Sequence, residues 1–161
     1  MIKLNFDRIK KIERLKRKNR RNNLIKQLSF LSLPKDLFME VEANESFCRQ
    51  VFLTLSKHHN PIILQGRDNE ETIYMSIQAL RNLDMPTALF NKECRVFFFG
   101  EYEIEAVKLN VNEVFMNLEN VLDLTRFSKG YGDFILVDEN LLFGICIERT
   151  EYHYELIKWG F

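Results

Sequence analysis

The chain has 161 residues, 46% hydrophobic and 29% charged, which suits one ordinary domain with its own core and excludes wholesale disorder. Its 23 Lys and Arg balance 23 Asp and Glu, yet eleven of the cations fall in residues 1–26 beside only Asp7 and Glu13. A basic arm of about +9 thus precedes an acidic body of about −9, a split that points to electrostatic partners.

The spacing of Ile9, Ile12 and Leu15, resumed by Leu24, Ile25, Leu28 and Leu31, predicts one long helix or two collinear ones over residues 6–32. Asn5 or Asp7 would cap it and Pro34 would end it. Residues 16–23 hold no apolar side chain, so two turns have nothing to pack with and should meet water or a partner. After a connection over 34–46, with room for a short strand, a second helix is expected over 44–58. Asn60-Pro61 stops it, and Ile62–Leu64 reads as a short buried strand. A third helix follows Gly66 to about Leu83, with Asp68, Glu70 and Glu71 in its first turn, where the helix dipole favours acids. Extended structure is expected over Thr87–Phe90 and 95–99. Alternation from Tyr102 to Ala106 predicts a half-buried strand with Glu103 and Glu105 outward. A fourth helix over 112–124 precedes the Gly130–Gly132 break. Strands at 133–137, 142–148 and 152–159, joined by tight turns, predict an antiparallel meander in which Tyr152 and Tyr154 face the core.

Catalytic patterns are weak. The loop after Ile62–Leu64 has one glycine and acids behind it, the reverse of a phosphate cradle. His58 and His59 point about 100° apart on a helix and suit a C-terminal cap better than a metal; His153 stands alone. Cys48, Cys94 and Cys146, odd in number and set among apolar residues, read as buried reduced thiols rather than nucleophiles. Asp133, Asp138, Glu148 and Glu151 could suggest a nuclease centre, but Asp133 and Asp138 point to opposite faces of one strand. The expectation is therefore no enzyme, no cofactor and no metal. No apolar run approaches the roughly 18 residues of a membrane span, and no signal-peptide core is visible, so a cytoplasmic protein is expected.

Two surfaces remain as binding candidates. The basic run, Lys16, Arg17, Lys18, Arg20 and Arg21, fits a solvated face, a nucleic-acid or acidic-protein contact, or a fold-back onto the body. The acids Asp68, Glu70, Glu71, Glu148 and Glu151, with Trp159 as an aromatic anchor, fit a basic protein partner.

The segments Gly132–Asp138 and Phe143–Tyr152, with Leu64–Asn69 loosely compatible, resemble the closing strands of YxiF-like small bacterial proteins, some of which lie in polymorphic-toxin loci. The resemblance implies a cytoplasmic immunity protein that occludes a basic toxin domain, and it carries over no functional residue. The alternative is a nucleic-acid-binding accessory protein using the basic helix. The expected fold is a single α+β domain, arm 1–33 and body 34–161. It has the long basic helix and three further helices packed on a mainly antiparallel sheet of about six strands that ends in the meander.

Overall fold

A computed structural model describes residues 2–58 and 60–161, with side chains from residue 5 onward. It divides into two compact units, residues 1–33 and 34–161.

The first unit is α1 (Ile2–Gln27), continued by a turn in which the Leu28 N–H reaches the Leu24 carbonyl. Asn5 and Asp7 lie inside the helix rather than at its cap. Phe6, Ile9, Ile12 and Leu15 form a stripe that is exposed along its length, with the Lys10 ammonium 4.6 Å from the Phe6 ring centre.

The second unit is built on one six-stranded sheet. In spatial order its strands are β1 (Ile62–Leu64), β6 (Tyr154–Trp159), β5 (Gly144–Arg149), β4 (Phe134–Val137), β2 (Glu93–Phe99) and β3 (Ile104–Asn110). Every neighbouring pair is antiparallel, and β4–β5–β6 is the expected meander. Helices α2 (Val41–Ser56), α3 (Asn69–Arg81), α4 (Thr87–Phe90), α5 (Val111–Met116) and α6 (Leu118–Leu124) complete the architecture, which is α+β.

The apolar runs of β4, β5 and β2 are continuous rather than alternating because both faces of the sheet are covered. On one face, Phe47, Cys48 and Val51 of α2 pack on Phe97, Ala106, Ile135, Val137, Cys146 and Ile157. Fully burying each large side chain there contributes roughly 2 kcal/mol. On the other, Phe127 meets Phe134 and Tyr154 edge-on at 6.4 and 6.1 Å.

Several expectations change. Thr87–Phe90 is a helical turn, because Pro86 supplies its first carbonyl to the Leu89 N–H. The expected fourth helix is broken at Asn117 into α5 and α6. The half-buried strand is instead buried on both sides: Glu105 is 6% exposed, while Tyr102, at 92%, sits in the turn before it. β1 is an edge strand with Ile62 and Ile63 half exposed, not buried. Tyr154 is core, but Tyr152 is exposed. Residues 34–40 contain no strand, and α2 begins at Val41.

The two edges of the sheet are treated differently. On β3, the buried Asn44 side chain donates to the Ile104 carbonyl at 2.7 Å and accepts from the Ala106 N–H at 2.9 Å. The Leu37 carbonyl accepts from the Lys108 N–H at 3.0 Å. An amide side chain and one loop carbonyl thus stand in for a seventh strand. Buried Arg95 reinforces the same loop, donating to the Leu37 carbonyl at 3.1 Å and pairing with Glu139 at 2.6 Å.

Candidate partner-binding site

The register of the meander decides where its acids go. Glu148 of β5 lies directly opposite Glu155 of β6, and Glu155 lies opposite Ile63 of β1. The pairing of Phe134 with Ile147, carried one residue further, sets Asp133 beside Glu148. Three carboxylates therefore form a row across adjacent strands on one face. Like charges directly opposed in a sheet are destabilising. Burial, followed by the charges of Asp133 and Glu155, pushes the Glu148 carboxyl above its ordinary range. Burial likewise raises Asp133, against the Arg149 N–H that it accepts at 2.9 Å. Glu155 bonds His153 Nε2 at 3.0 Å.

Strand alternation sends the adjacent cation away. The Arg149 side chain lies on the opposite face, bonded to the carbonyls of Gly132 and Phe127 and to the Tyr154 hydroxyl. Its guanidinium sits 4.5 and 4.7 Å from the Phe127 and Tyr154 ring centres. It ties β5, β6 and the turn at Phe127 together, and its charge acts on the row at Asp133, where it opposes the effect of burial.

The α3 acids come to the same end of the sheet. Leu64 is opposite Tyr154, which is opposite Arg149, so α3 starts a few residues beyond the β5–β6 turn. Asp68 caps α3 by accepting the Glu71 N–H at 2.8 Å, and its carbonyl accepts from Thr72. Gly66 is required there: a Cβ would lie 2.8 Å from the Thr72 nitrogen. Glu71 pairs with Arg67 at 2.7 Å, while Glu70 is exposed. Glu151 and Tyr152 are exposed in the turn, which Thr150 closes by donating to the His153 carbonyl at 2.6 Å.

By register, Asp68, Glu70, Glu71, Glu148 and Glu151 fall at the same end of the sheet as Asp133 and Glu155. Glu155 escaped sequence reasoning because its importance comes from facing Glu148, and register is not written in a single strand. Trp159 is elsewhere. At the far end of β6 its indole covers Gly144, donates to the Leu141 carbonyl at 2.9 Å and stacks on His58 at 4.7 Å. It is placed as a packing residue, apart from the acids.

Lys16, Lys18 and Arg20 are exposed on α1, and Arg17 and Arg21, one turn apart, are half-buried. All three cysteines are buried and outside any disulfide, and burial pushes the Cys94 and Cys146 thiols far up, the reverse of an activated nucleophile. Asp138 lies at the other end of β4 from Asp133 and accepts the Asn140 and Leu142 N–H groups of a turn. The His58 N–H caps α2 on the Leu55 carbonyl, and His59 lies outside the described residues. Among the described residues, no group of three or more His, Cys, Asp or Glu is arranged to hold a metal, and no helix is long and apolar enough to cross a membrane.

Residues 24–159 match the sequence model of the family described as YxiF protein. The match covers every acid of the sheet end and begins after the basic run of α1. Neither the curated proteins nor the solved structures compared with the chain gave a match.

Proposed function

The chain belongs to the YxiF family, and on that footing we propose that it is a non-enzymatic binding protein whose acidic sheet end receives a basic protein partner. The observation that carries this reading is the opposition of Glu148 to Glu155 beside Asp133. A carboxylate row that costs folding stability is relieved when a partner's Lys or Arg reaches it. The concrete form of the reading, which the sequence resemblance alone implies, is a cytoplasmic immunity protein that occludes a toxin domain by charge and bulk.

The test is quantitative affinity capture from the cells that make the protein, comparing the wild type with a Glu148→Lys/Glu155→Lys variant. A basic protein retained by the wild type and lost from the variant is expected. Expression of that protein alone should arrest growth, and the wild-type chain should restore it. Identical captured sets would sink the proposal.

A second reading draws on α1, which is about 39 Å long at 1.5 Å per residue and carries eleven cations. It makes the chain a nucleic-acid-binding accessory protein. Titration of RNA and duplex DNA at two salt concentrations separates the readings, because phosphate binding must weaken steeply with salt. Deleting residues 1–22 abolishes such binding under this reading and leaves capture of the basic protein intact under the first.

A further inference from the structure

We infer that β1 is a strand-addition edge that takes an extended basic segment of the partner protein, an inference that rests on the acidic sheet end as the binding surface. Alternate residues of an antiparallel edge strand turn N–H and C=O groups away from the sheet, where they need water or a new strand. The β3 edge meets that need internally, through Asn44 and the Leu37 carbonyl. On β1, among the described residues, no comparable side chain or loop bonds the outer edge, and Ile62 and Ile63 are 52% and 51% exposed. One edge is closed and the other open within the same sheet.

Charge selects the occupant. Ile63 is the next member of the Glu155–Glu148–Asp133 row, so a strand added beside Ile63 extends that row by one residue. A Lys or Arg at that position can reach back over Ile63 towards Glu155. At the Leu64 end the same strand meets the first turn of α3, with Asp68 and the exposed Glu70. Alternate residues on the strand's other face would continue the row of Ile62 and Leu64 and should be apolar. A second copy of this chain is the poorer occupant, because the body carries 12 cations against 21 acids and edge-to-edge pairing would bring acidic flanks together. Because β1 is only three residues long, backbone pairing contributes modestly and the basic side chains must supply much of the affinity.

The probe is a capped octapeptide of alternating Val and Lys, titrated into the full chain at low salt while backbone amide exchange is followed. Two isomers, N-methylated on every Val or on every Lys, keep its charge but block one hydrogen-bonding edge each. The expected result is slowed exchange at Ile62–Leu64 with the parent, about tenfold weaker binding by one isomer and near-parent binding by the other. Ile63→Lys should also weaken the parent by about tenfold. Equal binding by both isomers overturns strand addition while leaving the acidic sheet end standing as a charged surface. If the parent does not bind, or binds a Glu148→Gln/Glu155→Gln variant equally well, both proposals fall. A concentration-dependent dimer that Ile63→Lys dissolves would assign the edge to a second copy and overturn the basic-segment proposal.

Discussion

Burial and the neighbouring Asp133 and Glu155 carboxylates raise the Glu148 carboxyl pKa, and that has a defined consequence. In the window between its unfolded and folded pKa the native state holds more protons than the unfolded one. Stability therefore falls as pH rises through that window, and the penalty persists above it. Glu148→Gln should stabilise the protein at pH 7 by about 0.5 kcal/mol, the scale of a cross-strand pair. The gain should fade through about pH 4 and vanish below about pH 3, where the carboxyl is protonated in both states. Thermal melts of both proteins across that range check the sign; a gain that grows on acidification would contradict the like-charge account. Gly144 makes a second residue-scale case. Its missing Cβ leaves the place that the Trp159 ring occupies, so Gly144→Ala must displace the indole. A loss of about 2 kcal/mol in denaturant unfolding is expected, since overpacking of a filled site costs 1–3 kcal/mol.

At the scale of elements, Asn44 lets one helix terminate a sheet. Asn44→Ala removes both of its bonds and leaves the Ile104 carbonyl and the Ala106 N–H unsatisfied in a buried place. Unfolding free energy should drop by about 2–6 kcal/mol, taking 1–3 kcal/mol for each of the two unsatisfied groups. The reopened edge should also aggregate faster on heating, as light scattering would show. Most elements were legible from periodicity, and those that were not share physical causes. The stripe Val114, Leu118, Val121 and Leu122 keeps helical spacing through the break at Asn117. The break itself is a backbone event: the Asn117 N–H and side-chain amide both bond the Glu113 carbonyl. Ile62–Leu64 reads as interior because an apolar run carries no record of where its strand stands in the sheet. The site was half legible for the same reason. Its acids could be named singly, but their convergence depends on pairings such as Glu148 with Glu155.

For the molecule as a whole, the cancellation of charge has kinetic meaning. A neutral chain exerts little long-range pull on a basic partner, although its sheet end is acidic at close range. Deleting residues 1–22 leaves 13 cations against 21 acids, about −8. Association with the proposed basic partner should then accelerate several-fold at low ionic strength, and the difference should fade as the Debye length shrinks towards about 8 Å at physiological salt. Stopped-flow association rates at two salt concentrations measure it, and an arm that slows binding when removed would mean that it contacts the partner itself. The sequence disclosed this split in full, because net charge by segment requires no folding to count.

The packing of Trp159 has one more consequence, which is optical. It is the only tryptophan in the chain, and it is held between Gly144 beneath and the imidazole of His58 at 4.7 Å. His58 follows the last turn of α2, so the indole emission senses whether that helix end rests on the sheet. Fourteen phenylalanines and five tyrosines cannot give so local a signal. Loosening of α2 would change the tryptophan spectrum while the far-ultraviolet strand signal stays constant, giving the protein a built-in dye at one helix–sheet contact.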